Sequence, residues 1–200
     1  MGLFDKFNGK SKNFKYLEGL IRNGEKEIVL DSDIIFDSEE DSGSIILEDE
    51  EELIIDGNDH IINAKGKSSI FWFDYGCDIT IKNITLKNAE DGAITNRGRL
   101  SLENSIFKNN KGGAIDNQGR LFVKNSIFKK NKSEHYGGAI DSGSYDCYAS
   151  FDGCTFKNNR ASRGGAIYAG NKTCRLSLKD CTFQGNKAKY GNALYVHMHR

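Results

Sequence analysis

The chain of 200 residues contains no proline, two methionines and a single tryptophan. No run of 18 apolar residues occurs, which argues against a membrane-spanning helix. The first residues, Met1-Gly2-Leu3-Phe4-Asp5-Lys6-Phe7, lack the apolar core of a secretory signal. Taken as given, the chain is expected in the cytoplasm, or as a fragment of something larger. There is no phosphate loop, nucleotide fingerprint or serine-nucleophile elbow. No close CxxC pair or matching histidine spacing exists, so neither zinc nor another cofactor is expected. The four histidines, His60, His135, His197 and His199, are scattered. His197 and His199 alternate as metal ligands on a strand could, but a frayed terminus accounts for them better.

Charge is balanced overall, with 28 basic and 28 acidic residues. It is not balanced along the chain. Residues 1–100 hold 21 acids and 12 bases, and residues 101–200 hold 7 acids and 16 bases. The stretch 25–59 has 15 acids against Lys26 alone. Such asymmetry concerns partners and assembly rather than fold.

What the chain has in quantity is repetition. Asn104-Ser105-Ile106-Phe107-Lys108-Asn109-Asn110 returns as Asn125–Asn131, as Gly153–Asn159 and as Asp180–Asn186. Between the copies lies a second phrase, Gly-Gly-Ala-Ile, at 112–115, 137–140 and 164–167, with weaker forms at Asp91–Ile94 and Gly191–Leu194. The 22 glycines recur in register and so mark turns and close contacts. The phenylalanines Phe107, Phe128, Phe156 and Phe183 are 21, 28 and 27 residues apart. A fixed period of this size means one unit stacked many times.

Within a unit apolar residues alternate, as in Leu100-Ser101-Leu102-Glu103, and no helical spacing is sustained. Aligning the units gives inward columns Leu100/Leu121/Ala149/Leu176 and Leu102/Val123/Phe151/Leu178, and an outward column Glu103/Lys124/Asp152/Lys179. The repeat is too short for a propeller blade and lacks the leucine-rich pattern. The fold class is therefore all-β, a single-stranded parallel β-helix. Alternating pairs from Ile28 onward supply less regular early coils, and regular repeats begin at about 79. Phe14, Leu17, Leu20 and Ile21 have helical spacing, and Asn23-Gly24 fits a helix stop. The organisation expected is a segment 1–26 with a capping helix, then a β-helix domain over 27–200.

The Gly-Gly-Ala-Ile phrase, paired with phenylalanine followed by two residues and asparagine, resembles the repeats of polymorphic outer membrane proteins and adhesin-like surface proteins. Leu53–Asn63 with Ile79–Leu86 resembles the opening coils of pectate-lyase-like right-handed β-helices. The resemblance covers roughly residues 45–196. It implies a right-handed solenoid, and a secreted or surface location if the chain is a fragment. The fold hosts adhesins, lyases and hydrolases alike, so activity has to be argued from a site.

Several columns carry chemistry. Tyr136, Arg163 and Tyr190 each precede a copy of the glycine phrase, Gly191-Asn192 in the last case, and share a column. Tyr168 and Tyr195 share another. Six of the eight tyrosines lie between 136 and 195, where the coils also lengthen at Ser133–Tyr136 and Ser142–Cys147. Exposed tyrosine beside arginine suits sugar faces and acidic groups. Asp116 and Asp141 should stack one coil apart, at a separation compatible with glycosidase carboxylates. That column also holds Thr95, Tyr168 and Tyr195, so catalysis there is the weaker reading. The column Asn110/Asn131/Asn159/Asn186 should form a buried amide ladder. Cys147 stacks with Cys174, and Cys154 with Cys181, but parallel strands aim each pair the same way. All five cysteines are therefore expected as reduced thiols. The lysines of the second half alternate with acids on several columns and form no single stripe, so nucleic acid is not an expected partner.

These readings favour a non-enzymatic β-helix scaffold or adhesin-like module, presenting a repetitive surface to glycans or proteins. The alternative is a polysaccharide lyase or glycoside hydrolase, for which no clustered carboxylates with a matched base are found. With no cap after the last unit, self-association through the C-terminal edge is also expected.

Overall fold

The computed structural model describes residues 12–48, 51–171 and 173–196. His197 and His199 lie outside the described residues. Strand formation follows the alternation: Arg99–Glu103 and Arg120–Lys124 bury every second side chain, Leu100 with Leu102 and Leu121 with Val123. Seven such strands pair in parallel as a first sheet, from Glu27–Val29 to Arg175–Lys179. A second sheet runs from Ile34–Ile35 to Thr182–Gln184, and a third from Ile45–Leu47 to Leu194–Val196. Each coil contributes one strand to each sheet, so the chain winds around a single apolar core.

The expected registers hold. Leu100 pairs with Leu121, Leu121 with Ala149, and Ala149 with Leu176. The outward column alternates as read, Glu103, Lys124, Asp152, Lys179, and Lys179 meets Asp152 at 3.0 Å. Phe107, Phe128, Phe156 and Phe183 stack at 4.9, 5.0 and 4.9 Å between ring centres, and Leu86 extends the column. The first three rings are fully buried. Each buried ring is worth about 2–3 kcal/mol of apolar transfer, and each stacked pair about 1 kcal/mol more.

Two corners carry the polar bookkeeping of the core. Only two residues separate Glu103 from Ile106, and the first, Asn104, turns the chain at φ 49°. Asn83, Asn125 and Asp180 repeat that left-handed turn. At the next corner the amide ladder is buried: the Asn110 side chain donates to Asn131 Oδ1, Asn131 to Asn159, and Asn159 to Asn186, each at 3.0 Å. Those oxygens also accept the backbone N–H of the coil before, which satisfies groups the corner would otherwise leave unpaired. A second ladder, not read from the sequence, joins Asn96 to Asn117 at 2.8 Å.

The helix Phe14–Arg22 covers the first coil with Phe14, Leu17 and Ile21 buried. Its N-terminus is held twice. Asn13 accepts from the Tyr16 N–H, and the Asp41 carboxylate accepts from Phe14 and Lys15 N–H groups.

One expectation is corrected here. Cys147 and Cys174 form a disulfide, leaving Cys77, Cys154 and Cys181 as free thiols. The parallel-strand argument failed because neither cysteine lies in a strand. Both occupy the corner before the first sheet, where Asp146 at φ 53° turns the backbone and the Cα atoms lie 4.6 Å apart.

Candidate functional site

Outward side chains of the third sheet form one column across six coils: Trp72, Thr95, Asp116, Asp141, Tyr168 and Tyr195. The carboxylate pair and the tyrosine pair are consecutive members of this one column, in the register that the repeat gives. Beside it runs the row Tyr136, Arg163, Tyr190, bridged backbone to backbone. The two tyrosine rows are a single surface. Tyr136 stacks on Tyr168 with ring centres 4.4 Å apart, and Tyr168 stacks on Tyr195 at 5.4 Å. The Arg163 guanidinium lies over Tyr136, Tyr190 and Tyr195, at 5.7, 5.8 and 6.0 Å.

Glycine makes room for this arrangement. A Cβ at Gly170 would fall within the Tyr168 ring, and one at Gly143 would press on both that ring and Asp141 Oδ1. The Tyr168 ring thus occupies space that only a residue without a Cβ at 170 leaves open.

Asp116 and Asp141 face a groove of about 600 Å³, which Tyr136, His135, Lys111 and Lys132 also line. Both acids sit within less than half of full exposure and titrate abnormally. Burial raises the Asp116 carboxyl, opposed by a 2.9 Å hydrogen bond from Gln118 Nε2 and by the charge of Arg97. Arg97 Nε in turn donates to Gln118 Oε1 at 3.2 Å. Asp141 is pushed up to about 7, by burial first and then by the charge of Asp116, against one hydrogen bond from the Gly143 N–H. Asp141 is therefore the member of the pair that keeps its proton to the higher pH, and near pH 7 its protonated and ionised forms coexist. Such a pair can donate and accept hydrogen bonds to hydroxyl groups at once.

Among the described residues no group of three or more His, Cys, Asp or Glu side chains is arranged to hold a metal ion. His60 instead meets Asp33 at 3.3 Å. The described residues also include no helix long and apolar enough to cross a membrane.

The structure adds residues that the sequence did not single out. Trp72, with Arg97 4.7 Å above its ring, extends the third-sheet strip by one coil beyond Thr95. Following the Asp116 column backward in register would have found it. On the second sheet Lys87, Lys108, Lys129 and Lys157 stack in one unbroken column. The expectation that the lysines form no single stripe is corrected: only the first-sheet column alternates in sign. Lys108, Lys129 and Lys157 follow the repeating Phe directly, and Lys87 follows Leu86 of the same column, so the repeat itself keeps them in register.

Three parallel sheets coiled about one core, with a polar strip running along an outer face, define a parallel β-helix. The family model for the right-handed β-helix region matches residues 62–200. The chain belongs to that family. No curated protein and no solved structure matches it.

Proposed function

We propose that this chain is a non-enzymatic β-helix module whose third-sheet face binds a glycan. The observation that carries this reading is the joined platform of Tyr136, Tyr168 and Tyr195 beside the Asp116–Asp141 groove. The stacked rings form a rigid aromatic surface against which the C–H groups of a sugar can pack at small entropic cost. The adjoining carboxylates supply hydrogen-bond acceptors for sugar hydroxyls, and Asp141, raised to about 7, also supplies a donor in the fraction of molecules that keeps its proton. Arg163 adds a cation beside these rings. Binding of neutral polysaccharides, followed by calorimetry, tests the reading. Tyr136→Ala and Tyr168→Ala are each expected to weaken binding by tenfold or more. Gly170→Ala, which displaces the Tyr168 ring without removing it, is expected to weaken it too. Affinity unchanged in all three variants would remove this face from consideration.

A second reading, glycoside hydrolysis, is favoured by the same two acids with their unequal proton affinities. It predicts reducing-end release from a bound polysaccharide, lost in Asp116→Asn and Asp141→Asn. Binding without product release supports the module over the enzyme.

A further inference from the structure

The second sheet carries a charge pattern that the third-sheet reading leaves unused. Its outward face consists of two columns. One is Asn63, Lys87, Lys108, Lys129, Lys157 and Gln184. The other is Ile61, Thr85, Ile106, Ile127, Thr155 and Thr182. Neighbouring strands lie about 4.8 Å apart, so four ammonium groups are rooted in a row roughly 14 Å long. Like charges directly opposite one another on a sheet are destabilising. Here they are also uncompensated: none of the four has an ion pair or side-chain hydrogen bond among the described residues. Lys108, in the middle, is held below its ordinary pKa by partial burial first and then by the charges of Lys87 and Lys129.

The cations continue around the corner. Lys111, Lys132, Arg160 and Lys187 are bridged in a second basic row. Glu90 takes Lys111 at 2.9 Å, and Glu134 lines a groove of about 610 Å³ with Lys132 and Arg160. The corner between the two rows is turned in part by Lys130, in the left-handed backbone conformation that asparagine takes at Asn109 and Asn158. A basic residue there costs local backbone energy and adds one more charge to the ridge.

We infer that this ridge is a binding site for a linear anionic polysaccharide, one bearing carboxylate or sulfate groups along its length. The chain would lie along the solenoid axis. Its anionic groups would face the lysine column, and its rings would rest on Ile106 and Ile127, with Thr85, Thr155 and Thr182 offering hydroxyls. Nucleic acid is disfavoured because neither column holds an aromatic ring on which a single-stranded base could stack, and because the chain has no net positive charge to draw a duplex. The site is separate from the tyrosine platform and does not depend on it.

The test is the affinity of the full chain for alginate, a polyuronate, and for heparin, a sulfated chain, at several salt concentrations, with dextran as the neutral control. Binding of one or both that weakens steeply with salt is expected, and the arm that binds tighter identifies the anionic group. Lys108→Gln with Lys129→Gln should reduce affinity about tenfold or more and flatten the salt dependence, as lost counterion release requires. Lys124→Gln with Lys179→Gln removes the same charge from the first sheet and should leave affinity within about twofold. Tyr168→Ala should also leave it unchanged, which separates this site from the third-sheet face. Absence of salt-dependent binding by the parent chain overturns the inference. So does an equal loss in the two lysine double variants, or tighter binding of oligothymidine or duplex DNA than of either polysaccharide at the same salt.

Discussion

Asp141 shows how a single side chain can set a pH dependence in an otherwise regular coil. Its carboxyl is raised from an ordinary 3.8 to about 7, chiefly by burial and then by Asp116. Below pH 4 the folded and unfolded chains both hold this proton. Between about 4 and 7 the folded chain keeps it and the unfolded chain releases it, so stability falls as pH rises through that window. Above 7 both forms are ionised and the penalty stays constant. At about 1.4 kcal/mol per tenfold change in proton affinity, the penalty has an upper bound of roughly 4 kcal/mol. Asp141→Asn is therefore expected to stabilise the chain more at pH 8 than at pH 5, and to flatten the profile between them. Urea melts at the two pH values check this. An equal effect at both would mean that Asp141 ionises normally. Asp116 is raised in the same direction, which steepens the same part of the profile.

At the scale of the element, the stacked ladders outweigh any single ion pair. Phe128 is fully buried between Phe107 and Phe156 and meets Phe151 edge-on at 6.3 Å. Phe128→Ala is expected to cost about 3–5 kcal/mol in denaturant melts. A loss below about 1 kcal/mol would be incompatible with a buried ring. This column was legible in the sequence for a physical reason. Side chains alternate with period two and each coil repeats the last, so one correctly placed Phe fixes the register of its whole row. The same logic made the Asn110–Asn186 ladder and the Glu103–Lys179 column readable. It failed where the chain leaves the strands. Ten residues separate Lys129 from Ile140, against six between Lys108 and Ile115, and alternation says nothing about the path of such a corner. The contact of Tyr136 with Tyr168 depends on that path. So does the Cys147–Cys174 bond, which needs the turn at Asp146. The lysine column was within reach of the repeat logic, but the alternating column beside Glu103 was generalised to the whole surface.

Across the whole molecule the two ends differ. The first coil is covered by the helix Phe14–Arg22, whereas the last described coil leaves Leu178 36% exposed and Phe183 only half-buried. A solenoid holds together through nearest-neighbour contacts, so a coil with one neighbour is the weakest unit. The disulfide joins the entrances of the last two coils, and in the chain-entropy picture closing a loop of 27 residues contributes about 3–4 kcal/mol. Alkylation of the unfolded chain without reductant should modify three thiols, and with reductant all five. Five without reductant would mean that the bond does not form. The position of that bond also has a mechanical consequence. Backbone hydrogen bonds between coils run along the solenoid axis, so tension between the two ends loads the coil interfaces in series. The structure should then unwind in steps, each releasing one turn of chain. Across the bridge, however, 27 residues are withheld, close to 90 Å of contour at about 3.4 Å per residue. A force-extension trace would be shorter by that length until a reductant was added, so the same covalent link that secures the weakest coil also sets how far the molecule can be drawn out.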